Sequence, residues 1–244
     1  MKSADIAEHA PGATLERKDV VDGFHSFDIT FHSFDITKIT PIGGATKRYF
    51  DVTVAMIALI LLAPVFIAVT CLLMFKSKEP VLYRHKRIGF HGREFECLKF
   101  TTMLTYSEEA FQEYLQQNRE AREEWNETRK LRYDPRVTPI GTFLRKTSLD
   151  ELPQLINVMK GEMSLVGPRP VTRQELDHYG KFSAYYLQTR PGLTGAWQIS
   201  GRSDTSYQER VALDTRYVRN WSFWADLKIM VLTVPCVVTA KGSC

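Results

Sequence analysis

One stretch of the chain places an acidic pair shortly after two basic residues, in RKTSLDELPQL (residues 145–155). Ser148 and Glu151 have the spacing of a capping box, which predicts a helix that begins at Ser148 and ends at Gly161. Asp150 would then lie on the first turn, where free backbone amides and the positive helix end stabilise an ionised carboxylate. Such a carboxylate can act as a nucleophile or bind a hard cation such as Mg²⁺.

Basic side chains that could hold phosphate oxygens occur around this stretch. Arg145 opens it, Lys99 lies in CLKFTTM, and Arg169 stands between two prolines that would present its guanidinium rigidly. Each cation could equally form a structural ion pair, and the acidic pair could simply complement the helix dipole. Together, carboxylates and fixed cations are the groups that phosphate chemistry requires.

A long apolar segment runs from Val52 to Phe75, with 24 residues and no charge. As a straight helix it would span roughly 36 Å, enough for a hydrocarbon core of about 30 Å. Pro64 removes a backbone donor near its centre and disfavours helical geometry at Ala63. Lys and Arg lie on both flanks, so their distribution sets no orientation. Both a kinked spanning helix and a hairpin that enters and leaves by one face fit these residues.

The composition argues against several classes of function. The chain has 244 residues and a formal net charge of +4, too small to indicate a nucleic-acid partner. Its four cysteines are scattered, which argues against a zinc site or a disulfide framework and fits a reducing compartment. Acidic and basic residues beside a single membrane anchor therefore favour phosphate chemistry on a lipid-linked substrate.

The rest of the chain predicts an α+β fold that is mostly helical. Residues 81–103 alternate basic, glycine and aromatic residues, as short strands with turns do. Thr172 and Glu175 have capping-box spacing, which predicts a helix start. The other predicted elements are a charged helix at 107–132 capped by Ser107, turns at 133–141 and 190–195, a proline-locked loop at 166–171, and helices at 172–188 and 206–220.

The two ends of the chain differ in character. The first 40 residues are polar, mixed in charge and without periodicity, which predicts a mostly disordered tail. FHSFDIT occurs there twice in tandem (24–37), which we interpret as a duplication in a segment that tolerates insertions. At the other end, Trp221 and Trp224 precede an apolar run from Ile229 to Ala240 that is too short to span a bilayer. This end fits a helix at the membrane interface and also a buried core helix.

Long ordered motifs run from Lys47 to the C-terminus: KRYFD…APVF…RIGFHGREFECLKFTTM…DPRVTPIGTFLRKTSLDELPQLINVMKGEMSLVGPRP…RPGLTGAWQISGR…LDTRYVRNWSFWADLKIM. With them the chain resembles the bacterial monotopic phosphoglycosyl transferases, above all the short ones that begin exopolysaccharide synthesis, such as the undecaprenyl-phosphate galactose phosphotransferases. The resemblance implies a small cytosolic domain. It also implies a tail at 1–46, a re-entrant membrane helix-hairpin at 47–80, and a catalytic domain at 81–244 that ends in an interfacial amphipathic helix.

The resemblance further implies an undecaprenyl-phosphate glycosyl-1-phosphate transferase. A hexose 1-phosphate, of galactose or glucose, would pass from a UDP-sugar to undecaprenyl phosphate with release of UMP. Asp150 matches the family's nucleophile, which carries the phosphosugar covalently and binds Mg²⁺, and Glu151 completes the acidic pair. The positions expected to hold phosphates are Lys99, Arg145, Arg169 and, as a weaker candidate, Arg87.

A cellular location follows from the same resemblance. Both chain ends and Asp150 are expected at the cytoplasmic face of the bacterial inner membrane, where UDP-sugars are found. Inner-membrane lipid would be a direct contact of the bend at Ala63 and Pro64. A homodimer is compatible with this arrangement.

Two residues depart from the family pattern. Thr101 stands where the family usually has a basic residue, which puts one phosphate contact in doubt. Ala63 replaces a serine whose hydroxyl could bond a freed carbonyl at the bend. Asp214 matches a further family acid whose role is open. The alternatives to an active transferase are a catalytically impaired, membrane-anchored assembly partner and an anchored phosphohydrolase that uses the same carboxylate and metal.

Overall fold

The computed structural model describes residues 40–76, 79–104, 108–128, 131, 134–200 and 206–238. The α-helices within them are α1 (Gly44–Leu61), α2 (Ala63–Lys76), α3 (Glu108–Gln117), α4 (Arg119–Thr128), α5 (Pro139–Lys146), α6 (Gln154–Lys160), α7 (Arg173–Asp177), α8 (Ser183–Leu187), α9 (Ala196–Ile199), α10 (Tyr207–Arg219) and α11 (Phe223–Val238). The strands are β1 (Leu82–Ile88), β2 (Glu94–Phe100), β3 (Ser164–Val166) and β4 (Gly192–Thr194). The described part is mostly helical with two small sheets, as predicted. The FHSFDIT repeat and Ser107 lie outside it.

The apolar segment forms two helices that meet at a break. α1 ends at Leu61, α2 begins at Ala63, and the pair is bent by 61°. Pro64 has no N–H with which to continue the helical hydrogen bonds, which explains a break at this point. In the described part of the chain no helix alone is long and apolar enough to cross a membrane, but this bent pair has the required length and composition. The bend is much smaller than the reversal of direction in a tight helical hairpin.

The first half of α1 is fixed to the rest of the fold by polar contacts. Arg48 donates hydrogen bonds to the carbonyl oxygens of Val158 (2.5 Å) and Met159 (2.8 Å) in the last turn of α6. Lys47 forms a buried ion pair with Asp226 of α11, with 2.5 Å between Nζ and Oδ2. Because loss of one partner would leave a buried charge unpaired, these contacts hold α1 in one orientation.

The predicted short strands at 81–103 are confirmed as an antiparallel hairpin of β1 and β2. The register places Lys99 opposite Tyr83. The chain reverses through His91 and Gly92, whose φ angles are 56° and 76°. Left-handed backbone is uncommon outside glycine, so this turn sets the register tightly. Lys99 is thereby fixed near the end of β2.

Asn157 of α6 joins that helix to β2. Its Oδ1 accepts a hydrogen bond from the backbone N–H of Leu98 (3.0 Å), and its Nδ2 donates to the carbonyl of Glu96 (2.7 Å) and to Glu162 Oε2 (2.6 Å). The side chain is 0% exposed. A fully satisfied buried amide of this kind specifies how two elements pack. The helix that follows the acidic pair is therefore held against the strand that carries Lys99.

The segment 190–195, predicted as a turn, instead contains β4, which pairs in parallel with β3. A Cβ atom on Gly192 would lie 2.1 Å from the backbone nitrogen of Gly167. Glycine is therefore required here by the close approach of two backbones. The turn prediction was wrong because glycine also marks such contacts.

Two predicted helices are each divided into shorter elements. Residues 107–132 contain α3 and α4, whose Phe111 and Trp125 rings lie 5.0 Å apart edge to face. Residues 172–188 contain α7, a 3₁₀ turn that begins at Gly180, and α8. Gly180 has a φ of 49°, which ends the regular helix. The predicted helix at 206–220 is confirmed as α10.

The C-terminal helix α11 has two different faces. Asp226 and Ile229 are buried in the core, whereas Trp224 is 75% exposed and Val231 63% exposed. One face therefore packs as a core helix. The other presents apolar side chains of the kind that lie against lipid at a membrane interface.

Candidate active site

The acidic pair lies on a short 3₁₀ turn, Leu149–Glu151, that precedes α6. The predicted capping box is wrong: Ser148 has left-handed backbone (φ 56°) and its side chain caps no amide. The turn is closed by the backbone, through a hydrogen bond of 3.2 Å from the N–H of Glu151 to the carbonyl of Ser148. The predicted helix end is confirmed at Gly161, which has a φ of 83°. A strained non-glycine residue next to a carboxylate pair is a feature of functional sites.

Lys99 links the two carboxylates. Its Nζ donates a hydrogen bond of 2.6 Å to Glu151 Oε1 and lies 3.7 Å from Asp150 Oδ2. The lysine comes from β2 and the carboxylates from the turn before α6, elements that are far apart in sequence. The hairpin register and the Asn157 bridge bring them together.

Asp150 is 8% exposed. Burial raises the pKa of its carboxyl group, against the influence of Lys99, which lowers it; Glu151 raises it further, and Arg145 and Arg169 lower it. In the described part of the chain, its carboxylate accepts no hydrogen bond. It therefore retains lone pairs for a metal ion or a phosphorus atom.

A cleft with an empty volume of about 270 Å³ opens beside the pair. Glu151 lines it, whereas Asp150 does not line it and lies 3.7 Å from Nζ of Lys99, which does. A ligand in the cleft would therefore meet Lys99 and Glu151 first. The residues that line the cleft are Arg87, Cys97, Lys99, Glu151, Gln154, Arg169, Pro170, Gly192, Leu193 and Gln198.

Arg169, with a proline on each side in the sequence, lines the cleft. Its Nη1 lies 3.7 Å from Glu151 Oε1, and its guanidinium carbon lies 5.7 Å from the centre of the Trp197 ring. The ring face attracts the cation without occupying its N–H donors. These donors remain available for phosphate oxygens.

Arg87 also lines the cleft but is held by a structural partner. Its Nη1 donates a 2.7 Å hydrogen bond to Glu175 Oε2. Glu175 belongs to the predicted capping box with Thr172, which is confirmed at the start of α7. Charge compensation by Glu175 agrees with the weaker assignment of Arg87 to phosphate.

Arg145 reaches the site from α5, a helix that was not predicted. Its Nε donates to Thr102 Oγ1 over 3.0 Å, and it is not among the residues that line the cleft. It acts on the site electrostatically, because it lowers the pKa of Asp150. The N-cap Thr138 followed by a proline was the signal that would have located α5.

The remaining residues singled out in the sequence lie elsewhere. The Thr101 hydroxyl donates to the carbonyl of Pro80 (2.5 Å) and does not line the cleft. Asp214 is 2% exposed and accepts a 2.7 Å hydrogen bond from the Tyr179 hydroxyl. Burial raises the pKa of Asp214 to about 6. Asp214 is thus part of a buried polar network that includes Arg210.

Two glutamines line the cleft that sequence reasoning did not single out. Gln154 is the first residue of α6, and Gln198 belongs to α9. Both are largely buried, with 3% and 8% of their surface exposed. Proximity to Asp150 in RKTSLDELPQL was the available signal for Gln154, whereas only the fold brings Gln198 to the cleft.

The donor set suits Mg²⁺ held jointly with a substrate. Among the described residues, no group of three or more His, Cys, Asp or Glu side chains is arranged to hold a metal ion. Mg²⁺ is usually bound by one or two carboxylates together with phosphate oxygens and water, and does not need a full protein cage. Asp150, with its free carboxylate oxygens, meets this requirement.

Comparison with known proteins assigns the chain to a family. The model for the bacterial sugar transferases matches residues 42–240, which include the bent helix pair, the acidic pair and the cleft. The chain belongs to the bacterial sugar transferase family. The enzyme class predicted from its motifs, a sugar transferase, is thereby confirmed.

Characterised relatives differ in length. The exopolysaccharide production protein ExoY of Rhizobium meliloti is 53% identical over 205 residues, which cover 84% of this chain and 91% of that protein. The undecaprenyl-phosphate galactose phosphotransferase of Salmonella typhimurium is 46% identical over 200 residues, 81% of this chain and 41% of its own length. The UDP-glucose:undecaprenyl-phosphate glucose-1-phosphate transferase of Escherichia coli is 37% identical over 206 residues, 80% of this chain and 41% of its own. The shared region is therefore about nine-tenths of the shorter relative and less than half of the longer ones.

Proposed function

We propose that the chain transfers galactose 1-phosphate or glucose 1-phosphate from a UDP-sugar to undecaprenyl phosphate, as the first membrane step of exopolysaccharide synthesis. The names of the relatives support the substrates and the pathway. The observation that carries the proposal is the acidic pair held by Lys99 beside a cleft that Arg169 also lines. This arrangement offers a nucleophile and two cations to a phosphoryl group.

The first step uses Asp150 as nucleophile. An oxygen of its carboxylate attacks the phosphorus that carries the sugar, and a new O–P bond forms. The anhydride bond to the other phosphorus breaks, and UMP leaves with the bridging oxygen. The product is a covalent aspartyl-phosphosugar, which keeps the reactive group in the protein while the nucleotide departs.

The second step passes the group to the lipid. A phosphate oxygen of undecaprenyl phosphate attacks the same phosphorus, and the bond to Asp150 breaks. The carboxylate is regenerated and a sugar diphospholipid is formed. Each step replaces one O–P bond with another, so the sequence needs no oxidant, reductant or further energy source.

The cations offset the charge that both steps bring together. Lys99 can donate to a phosphate oxygen in place of Glu151, which moves the lysine off the acidic pair and opens access to Asp150. Arg169 lies 3.7 Å from the same Glu151 oxygen and can offer its donors to phosphate, and Arg145 adds positive potential from outside the cleft. Mg²⁺, held by Asp150 and phosphate oxygens, would offset further negative charge when bound.

The membrane places the lipid acceptor within reach. We propose that α1 and α2 form a re-entrant anchor, bent at Ala63 and Pro64, and that the exposed apolar face of α11 lies at the interface. The anchor would span 47–80 and the catalytic domain 81–244, on the cytoplasmic face of the inner membrane. This topology keeps both basic flanks of the anchor on the side that favours positive charge.

The test is incubation of the full chain with undecaprenyl phosphate, Mg²⁺ and a panel of UDP-sugars, with release of UMP as the readout. We expect repeated release of UMP from UDP-galactose or UDP-glucose only when the lipid phosphate is present, and at most one UMP per protein without it. UMP release that depends on water alone would indicate a phosphohydrolase, and none from any donor would indicate an impaired assembly partner.

The nucleophile is tested separately by mass spectrometry of the intact protein. The wild type with a donor and no lipid should gain the mass of one phosphosugar, and Asp150→Asn should gain none. Asp177→Asn, an exposed acid at the end of α7, is the matched control and should form the adduct. An adduct that persists in Asp150→Asn would show that another residue is the nucleophile.

A further inference from the structure

Gln154 carries an unused amide into the cleft. The residue is 3% exposed and lines the cleft together with Lys99, Glu151 and Arg169. Its side chain makes no hydrogen bond to any part of the chain that the structure describes. Neither polar atom of the Gln154 amide is a fully buried atom that lacks a partner, so the amide stays accessible from the cleft.

Asn157, one turn further along α6, is an amide with a structural role on the same helix. It is also buried, but it makes three hydrogen bonds that join α6 to β2 and to Glu162. Gln154 joins no elements in this way. Its polar atoms are available to a ligand instead.

The chemistry of the cleft indicates which ligand group this is. The charged donors on its wall are Arg87, Lys99 and Arg169, which suit phosphate oxygens. An amide is neutral and offers two N–H donors and a carbonyl acceptor, which match a hydroxyl group that both donates and accepts. Gln154 stands four residues after Asp150, so a sugar whose phosphate is at Asp150 is the nearest source of hydroxyl groups.

We infer that Gln154 binds one hydroxyl group of the transferred sugar and is a specificity-determining residue of the cleft. The inference rests on the proposed transfer of a sugar phosphate and adds the residue that recognises the sugar itself. A site that hydrogen-bonds a substrate hydroxyl rejects an analogue that lacks it, because the amide is then left unpaired.

The test combines Gln154→Met, which keeps the side-chain length and removes the amide, with UDP-sugars that lack one hydroxyl at a time. In the wild type, one of these deoxy donors should lower kcat/KM roughly 10- to 100-fold. In Gln154→Met, the natural sugar should be slowed by a similar factor, and that same deoxy donor should be hardly slower than the natural one. Gln174→Met, an exposed glutamine of α7, is the control and should discriminate as the wild type does.

Two results would overturn the inference, and they are distinct. An active wild type whose discrimination against every deoxy donor survives in Gln154→Met would contradict the role of Gln154 and leave the transfer intact. A wild type that releases no UMP from any donor would contradict the transfer and this inference with it. If Gln154→Met unfolds, Gln154→Asn, which keeps an amide but shortens its reach, should show the same loss of discrimination.

Discussion

Lys99 donates a 2.6 Å hydrogen bond to Glu151 while its ammonium group stays 3.7 Å from Asp150. The lysine thus forms a hydrogen bond to Glu151, which lines the cleft, and is only near Asp150, which does not line it. This asymmetry suits two different roles for the acids. Glu151 binds the ammonium group of Lys99, and the carboxylate oxygens of Asp150 stay free. The arrangement of the pair leads to the first prediction.

Lys99→Met should shift the pH dependence of UMP release. Lys99 lowers the pKa of Asp150, so its removal should raise that pKa further. Asp150 would then be protonated at higher pH, and the acidic limb of the pH–rate profile should move upward as the maximal rate falls. Lys86→Met, on the same hairpin and exposed, should leave the limb in place. A lower rate with an unmoved limb would assign Lys99 to phosphate binding alone.

Asn157→Leu should destabilise the fold by about 2–4 kcal/mol, because it leaves the buried N–H of Leu98 and carbonyl of Glu96 without partners. Denaturant unfolding in detergent would measure the loss. Since the same amide positions β2 against α6, UMP release should fall at temperatures where the variant is still folded. Asn118→Ala is the control, because that exposed amide bonds only to the carbonyl of Tyr114 in the adjacent helix α3. Unchanged stability would show that the bridge contributes little.

Gly141→Ala should destabilise the chain although alanine normally favours a helix. Its Cβ atom would lie 2.0 Å from the carbonyl oxygen of Thr102, a backbone atom that cannot move alone. α5 would have to shift, and with it the hydrogen bond from Arg145 to Thr102. We expect a loss of about 1–3 kcal/mol in thermal unfolding. The neighbouring exposed Thr142→Ala should lower stability far less, and equal losses would contradict the contact.

Asp214→Asn should change how stability depends on pH. The pKa of Asp214 rises from 3.8 to about 6 on folding, so the folded state holds the proton more tightly. The resulting stabilisation is complete below pH 4 and is lost as pH rises through 6, by on the order of 3 kcal/mol. The variant should therefore gain stability relative to the wild type across this interval. Asp177→Asn should show no such gain, and a flat difference for Asp214→Asn would contradict the shifted pKa.

The topology is tested by a single cysteine at Ser3, in a chain whose native cysteines have been replaced. A membrane-impermeant thiol reagent added to intact cells should not label it, and permeabilised cells should be labelled. Pro64→Leu, which restores a backbone donor at the break, should increase labelling from outside because a straight helix can cross the bilayer. If the Ser3 cysteine is labelled in intact cells while Pro64 is still present, the re-entrant anchor is contradicted.

Local signals were reliable where a few neighbouring residues decide the structure. The capping box of Thr172 and Glu175 and the left-handed end of α6 at Gly161 both follow from short-range chemistry. The same reasoning failed at Ser148, where a 3₁₀ turn replaces the predicted cap. That turn is shaped by the elements packed around it, and its own sequence does not reveal them.

Contacts between distant elements account for most of what the sequence did not predict. β4 pairs with the distant strand β3, where Gly192 also lies against Gly167, the residue after β3, and the break between α3 and α4 brings Phe111 to Trp125. In the site, residue types were enough to single out Asp150, Glu151, Lys99 and Arg169. Which of these side chains a ligand in the cleft can contact depends on how deeply each is buried. A pattern of residues indicates the kind of chemistry, but the packing of the fold determines which side chain a ligand contacts first.

The two hydrogen bonds of Arg48 to the end of α6 have a mechanical consequence. α6 begins just after the acidic turn and ends at these bonds, so it acts as a short strut between the proposed anchor and Asp150, the proposed nucleophile. If α1 tilts when the bilayer becomes thicker or thinner, α6 should tilt with it. The distance between the cleft and the lipid phosphates would then change. Bilayer thickness would then tune how easily the acceptor reaches Asp150.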